Sequence, residues 1–235
     1  MSHDTTRELE LLQEATQRLV RTVDGFADDD WSRPSGLPGW TRSHVVAHLA
    51  LNAEGLSGAL TGLVDDAEDE APMYASDEAR DTDIETLAKD LPSELRARLM
   101  GGATLFADAA AAVPADAWSA RIERTPGGRT FAAATATGMR LREVEIHHVD
   151  LDAGYHHRDW SREFCALLLD AMVKRGAGPE PFRASPTDLD STWSFGEGGP
   201  TVTGTAADLG WWLTGRGDGS GLTSDNGVLP TIGKW

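Results

Sequence analysis

From residue 5 to residue 27, apolar side chains recur every three or four positions: Leu9, Leu11, Leu12, Ala15, Leu19, Val20 and Val23. That is the period of an α-helix with one face turned to a core. The pattern stops in "DDDWSRPSGLPGW", residues 28–40, where two prolines and two glycines break it. Thr41 or Ser43 then caps a second run, "RSHVVAHLALNAEGLSGALTGLV". The acidic stretch "DDAEDEAP" reads as a loop, and Ser76 opens a third helical region, "SDEARDTDIETLAKD", with acids in its first turn. Pro92 marks a kink or restart before a long helix through about Val113. A loop rich in Gly, Pro and Arg (114–130) leads to a further helix, Ala133–Ala153, ending at Gly154. Four long helices joined by loops predict an antiparallel four-helix bundle over residues 1–154.

The character of the chain then changes. A helix over 160–175 is followed by the linker-like "GAGPEPF". "STWSFGEG" and "PTVTGTAADL" have the Gly-punctuated pattern of short strands, and "AADLGWWLTGR" is helical again. The tail "LTSDNGVLPTIGKW" reads as loop or edge strand. The expected fold class is therefore α plus α+β: a helical bundle, then a small α+β domain over residues 155–235.

Charge narrows the partners. The net charge is −17, which repels nucleic acid and anionic membrane surfaces. An anionic ligand would need local positive charge from arginine or a metal. The single cysteine, Cys165, lies in the apolar "SREFCALLLDAMV", where a buried core residue is the better reading than a nucleophile. No apolar stretch approaches the ~20 residues of a membrane helix, and the polar N-terminus lacks the apolar segment of a signal peptide. A cytoplasmic protein is expected.

"REVEIHHVDLDAGYHH", residues 142–157, carries the residues with chemistry. Glu143 and His147 stand four apart, on one helix face, and Asp150 continues that stripe. Glu145, His148 and Asp152 point elsewhere. The second helix offers another four-apart pair, His44 and His48. Facing bundle helices are a common setting for metal sites, but spacing alone leaves a metal site and a set of structural histidines equally open.

The pieces "GWTRSHVVAH", "PMYASDEAR", "REVEIHHVDLDAG" and "GRGDGSGLTS" run in order over nearly the whole chain. They resemble the mycothiol-dependent maleylpyruvate isomerase family of actinobacteria, which joins a DinB-like four-helix bundle to a small α/β domain. The resemblance implies His48, Glu143 and His147 as metal ligands, with His44 outside the set. It places the family's glycine-flanked active-site arginine on Arg216 and a further family position on Arg80. The implied cofactors are zinc, or another divalent metal, and mycothiol; the implied substrate is a small dicarboxylate. Asp150 could hydrogen-bond a ligand histidine or stay solvated, while Glu54 and Glu145 could face solvent. His156 and His157 read as surface loop, Trp211 and Trp212 as core between the domains, and the thiol pocket as a cleft between them.

Two histidines and a glutamate leave coordination positions open, the pattern of a catalytic rather than a closed zinc site. The implied reaction adds an external thiolate to the C=C bond of maleylpyruvate, lets the resulting single bond rotate, and eliminates the thiolate to give fumarylpyruvate. Arg216 would hold a carboxylate or the developing enolate. Two other readings use the same motifs: a thiol S-transferase acting on another electrophile, and a non-enzymatic metal- or thiol-binding stress protein.

Overall fold

The first apolar period folds into α1, His3–Asp24, which buries Leu11, Leu12, Ala15, Leu19 and Val23 along one stripe. The computed structural model describes residues 3–64 and 72–233. Most of the acidic loop, residues 65–71, lies outside them.

The second run forms α2, Arg42–Gly62, with Thr41 as its N-cap. Its Val45, Val46, Leu49, Leu56 and Leu60 are fully buried. Each such side chain contributes about 1.5–3 kcal/mol relative to exposure. The Oγ of Ser76 accepts from Ala79 N and so starts α3, Asp77–Leu87. Pro92 occupies the first turn of α4, Pro92–Ala112, where its missing N–H costs nothing. Helix α2 packs on α3, α4 and α5 (Ala136–Asp150), and α1 packs on α4 and α5. Thus α1, α2, α4 and α5 close a four-helix bundle. Gly102 permits the close approach of α4 to α2, since a Cβ there would lie 3.2 Å from Ala50 O and from Ala53 Cβ.

Two details differ from expectation. The last bundle helix starts with a short 3-10 turn and ends at Asp150 rather than Ala153. Its terminal carbonyls are taken from outside: Gly36 N donates to Asp150 O at 2.7 Å, and Arg42 donates to Leu151 O and Asp152 O. Within the expected loop, Arg121–Glu123 (β1) and Thr130–Ala132 (β2) pair as an antiparallel hairpin. Each strand buries a single residue, Ile122 or Phe131, too little for an alternating pattern to show.

The chain divides into two compact units after Tyr155. In the second, Ser161 caps α6, Arg162–Arg175. The strands are β3 (Phe182–Pro186), β4 (Trp193–Phe195), β5 (Thr201–Gly204) and β6 (Thr223–Ser224), in the order β4-β3-β5-β6. Only β3–β5 is parallel. Helix α7, Ala206–Leu213, is capped by Thr205 and packs on α6. Strand β3 hides in sequence behind Pro181 and Pro186, yet its Phe182 stacks on Phe195 at 4.5 Å and meets Trp212 at 5.4 Å. This is the helical bundle followed by a small α+β unit that the sequence predicts. Among the described residues, no helix is long and apolar enough to cross a membrane.

Candidate metal centre

Helix α5 presents Glu143 and His147 one turn apart, and α2 supplies His48 from its buried middle. His48 Nε2 stands 2.9 Å from Glu143 Oε2 and 3.1 Å from His147 Nε2. His147 Nε2 is 3.2 Å from the same glutamate oxygen. Three electron-pair donors on two helices thus converge on one point. Donors bound to a common zinc ion at about 2.0–2.1 Å stand roughly 3.0–3.4 Å apart, so these spacings suit a shared divalent cation. Among the described residues, His48, Glu143 and His147 form the one group with such geometry.

The electrostatics also suit a cation. Burial would raise the pKa of Glu143, but hydrogen bonds from His147 and His48 outweigh it and hold the carboxyl well below its usual range. Burial and the neighbouring His147 push His48 down to about 4, leaving a neutral ring. His147 is likewise desolvated, yet Asp150 and Glu143 raise it above its ordinary value. Asp150 Oδ2 lies 2.8 Å from His147 Nδ1 and is buried. A carboxylate behind a ligating histidine fixes its orientation and strengthens it as a donor. The solvated alternative for Asp150 is therefore wrong.

The other candidates separate cleanly. His44 turns back on its helix start, with Nδ1 2.7 Å from Thr41 Oγ1. His148 is buried against α1, 2.8 Å from Thr22 Oγ1, and its ring stacks on Tyr155 at 3.8 Å. Glu145 is buried rather than solvated, and accepts from Arg18 at 2.7 Å and Tyr155 at 2.6 Å. Burial raises its pKa, while Tyr155 and Arg18 oppose the shift. Glu54 pairs with Arg98 on the bundle surface. Nη2 of Arg80, on α3, lies 3.2 Å from His48 Nδ1, and the side chain lines a cavity of about 190 Å³ with Tyr74, Met73 and Asp83.

Arg216 belongs to the second unit, in the turn after α7. Gly215 takes a left-handed φ of +70°, and a Cβ on Gly217 would come within 2.8 Å of Trp211. Both glycines are therefore required by the turn that presents the guanidinium. Arg216 lines a cavity of about 380 Å³ with His157, Arg158, Asp208, Trp211 and Asp218. His157 departs from the surface-loop reading: Nε2 is 2.9 Å from Asp208 Oδ1, and the ring stacks on Trp211 at 5.4 Å. Its partner lies 51 residues away, so no local pattern reveals the pair. Trp211 and Trp212 find their aromatic neighbours, His157, Trp160 and Phe182, inside the second unit.

A helical bundle that gathers two histidines and a glutamate, followed by a small α+β unit, defines a class of bundle proteins equipped to hold one divalent ion. Residues 12–152 match the model of the mycothiol maleylpyruvate isomerase N-terminal domain, and residues 159–234 match that family's C-terminal domain, the MDMPI C-terminal domain. The chain belongs to the mycothiol-dependent maleylpyruvate isomerase family. It is similar to a crystal structure of the mycothiol-dependent maleylpyruvate isomerase at 30% identity and TM-score 0.86, with all of both chains covered. A histidine-to-alanine mutant of the mycothiol-dependent maleylpyruvate isomerase aligns over the same full lengths, at 29% identity and TM-score 0.85. A search of curated proteins returns no match.

Proposed function

We propose that this protein isomerises maleylpyruvate to fumarylpyruvate with mycothiol as the thiol, and that His48, Glu143 and His147 hold the zinc ion it uses. The observation that carries this reading is the similarity to that isomerase over the whole chain at 30% identity. Convergence of the three donors within hydrogen-bond distances supports the metal assignment. A bound divalent ion would supply a Lewis acid that keeps a neighbouring thiol ionised near neutral pH.

The chain's own residues do the rest. Glu143, held ionised, offsets the cation's charge, and Asp150 keeps Nε2 of His147 turned toward the donor cluster. Arg216 is assigned to a substrate carboxylate, where a planar guanidinium makes paired hydrogen bonds and offsets negative charge as it develops. Arg80, beside His48, is a second cation for the same dianionic substrate class. These local charges counter the −17 of the chain. Dependence on a reduced thiol fits a cytoplasmic setting, and the reaction fits a place in gentisate degradation.

Cis–trans isomerisation changes neither atoms nor oxidation state, so the thiol must be regenerated. Protein incubated with excess maleylpyruvate and limiting mycothiol should give many equivalents of fumarylpyruvate per thiol, with free thiol recovered at the end. Stoichiometric loss of thiol into an adduct would make the protein an S-transferase instead.

Cys165 is buried in α6 at 2% exposure and is not the reacting thiol. Cys165→Ala is expected to keep kcat within about twofold and to lower stability by about 1 kcal/mol. A folded, metal-loaded Cys165→Ala protein without turnover would contradict the external-thiol mechanism.

A further inference from the structure

We infer that Arg140 and Asn52 form a positioning clamp that sets the two metal-bearing helices in register, an inference that rests on the metal reading above. Arg140 lies on α5, three residues before Glu143, and is 1% exposed. Its Nη1 donates to Leu49 O at 2.8 Å and to Asn52 Oδ1 at 2.9 Å, both on α2. Leu49 directly follows His48, and Asn52, also buried, lies one turn beyond it. One nitrogen therefore ties the segment beside one donor to the segment beside the others. A sliding or rotation of α2 against α5 that pulled His48 from Glu143 and His147 would also break both bonds.

The clamp is an expensive way to hold two helices together. Burial pushes Arg140 down to about 10, with Glu143 and Tyr74 opposing the shift, so it stays charged. Its Nη2 is buried and has no hydrogen-bond partner among the described residues. Replacing a buried charge and its partner by apolar side chains is often neutral or stabilising, so packing alone does not call for an arginine here. Its directed bonds do what an apolar contact cannot, because they fix one rotation and one register.

Charge and position make opposite predictions for metal binding. Removing a nearby positive charge would by itself tighten the hold on a divalent cation. Loss of alignment would weaken it, by about 10- to 100-fold for groups that orient ligands. The test titrates Zn²⁺ alone into metal-free full-length protein against a chromophoric chelator, at a temperature where circular dichroism shows every variant folded. Arg140→Met/Asn52→Leu should bind Zn²⁺ about 10- to 100-fold more weakly, with a metal-free Tm equal to or above that of the wild type. Arg140→Lys keeps the charge and one reaching donor and should fall between them. It also decides the matter if the double variant does not fold, a loss of threefold or more supporting the clamp. Zn²⁺ affinity within threefold of the wild type, or tighter, would overturn the clamp whatever the Tm does. A wild-type protein that binds no divalent ion would instead overturn the metal reading itself.

Discussion

His48→Ala should strip the divalent ion from the protein and lower kcat/KM by about a thousandfold or more. The ion is expected to supply several kcal/mol of activation to the thiol, and ~4 kcal/mol corresponds to about three orders of magnitude in rate. His48 is the single donor from α2, so its loss leaves only the Glu143–His147 pair of α5. Two ligands one turn apart on one helix cannot close a catalytic site of this kind. The fold should survive, because the imidazole is one residue in a helix whose Val45, Val46 and Leu49 remain fully buried. Metal analysis of the purified variant, beside its circular dichroism spectrum, checks this. Full occupancy in folded His48→Ala would remove His48 from the donor set and direct attention to His44.

Arg216→Ala is the second large effect, and it should leave metal content untouched. A substrate with two carboxylates gains further negative charge as its double bond is attacked, within a chain of net charge −17. A charge-assisted donor aimed at that developing charge supplies on the order of 2–4 kcal/mol, or roughly 30- to 1,000-fold in kcat/KM. The turn that carries this side chain depends on its glycines: Gly215 adopts a backbone that other residues strain to reach, and Gly217 leaves room for Trp211. Arg216→Lys should recover only part of the loss, because an ammonium cannot make the paired contact. Wild-type kcat/KM in Arg216→Ala would exclude Arg216 from the reaction and leave Arg80 as the cation to examine.

The readable parts of this chain are those whose physics is local. Ser76 announces a helix start because a cap acts within three residues, while the second helix offers both Thr41 and Ser43 for that place. Glu143 and His147 announce a shared face because four residues make one turn. Spacing could not choose between His44 and His48, and only the family resemblance did so. The structure gives a physical reason for the difference: His44 is spent on Thr41 at the helix start, while His48 faces α5.

What stayed hidden depends on partners distant in sequence. Glu145 is buried because Arg18, 127 residues earlier, meets it. His157 is partly buried because Asp208 and Trp211 hold it. Arg140 carries no local signal either, since its acceptors lie on α2, 88 and 91 residues away. The hairpin of β1 and β2 was missed for another reason: strands of three residues that each bury one side chain have no period to read. Strand β3 does alternate, burying Phe182, Ala184 and Pro186, but it is five residues long and bounded by prolines.

The most direct measurement follows the absorbance of maleylpyruvate over chelator-stripped protein, with Zn²⁺ and mycothiol added first singly and then together. Turnover to fumarylpyruvate is expected only when both are present, with the stripped protein inert toward either alone. Full-rate isomerisation by stripped protein given mycothiol but no divalent ion, or given Zn²⁺ but no thiol, would contradict a metal- and thiol-dependent reaction at His48, Glu143 and His147.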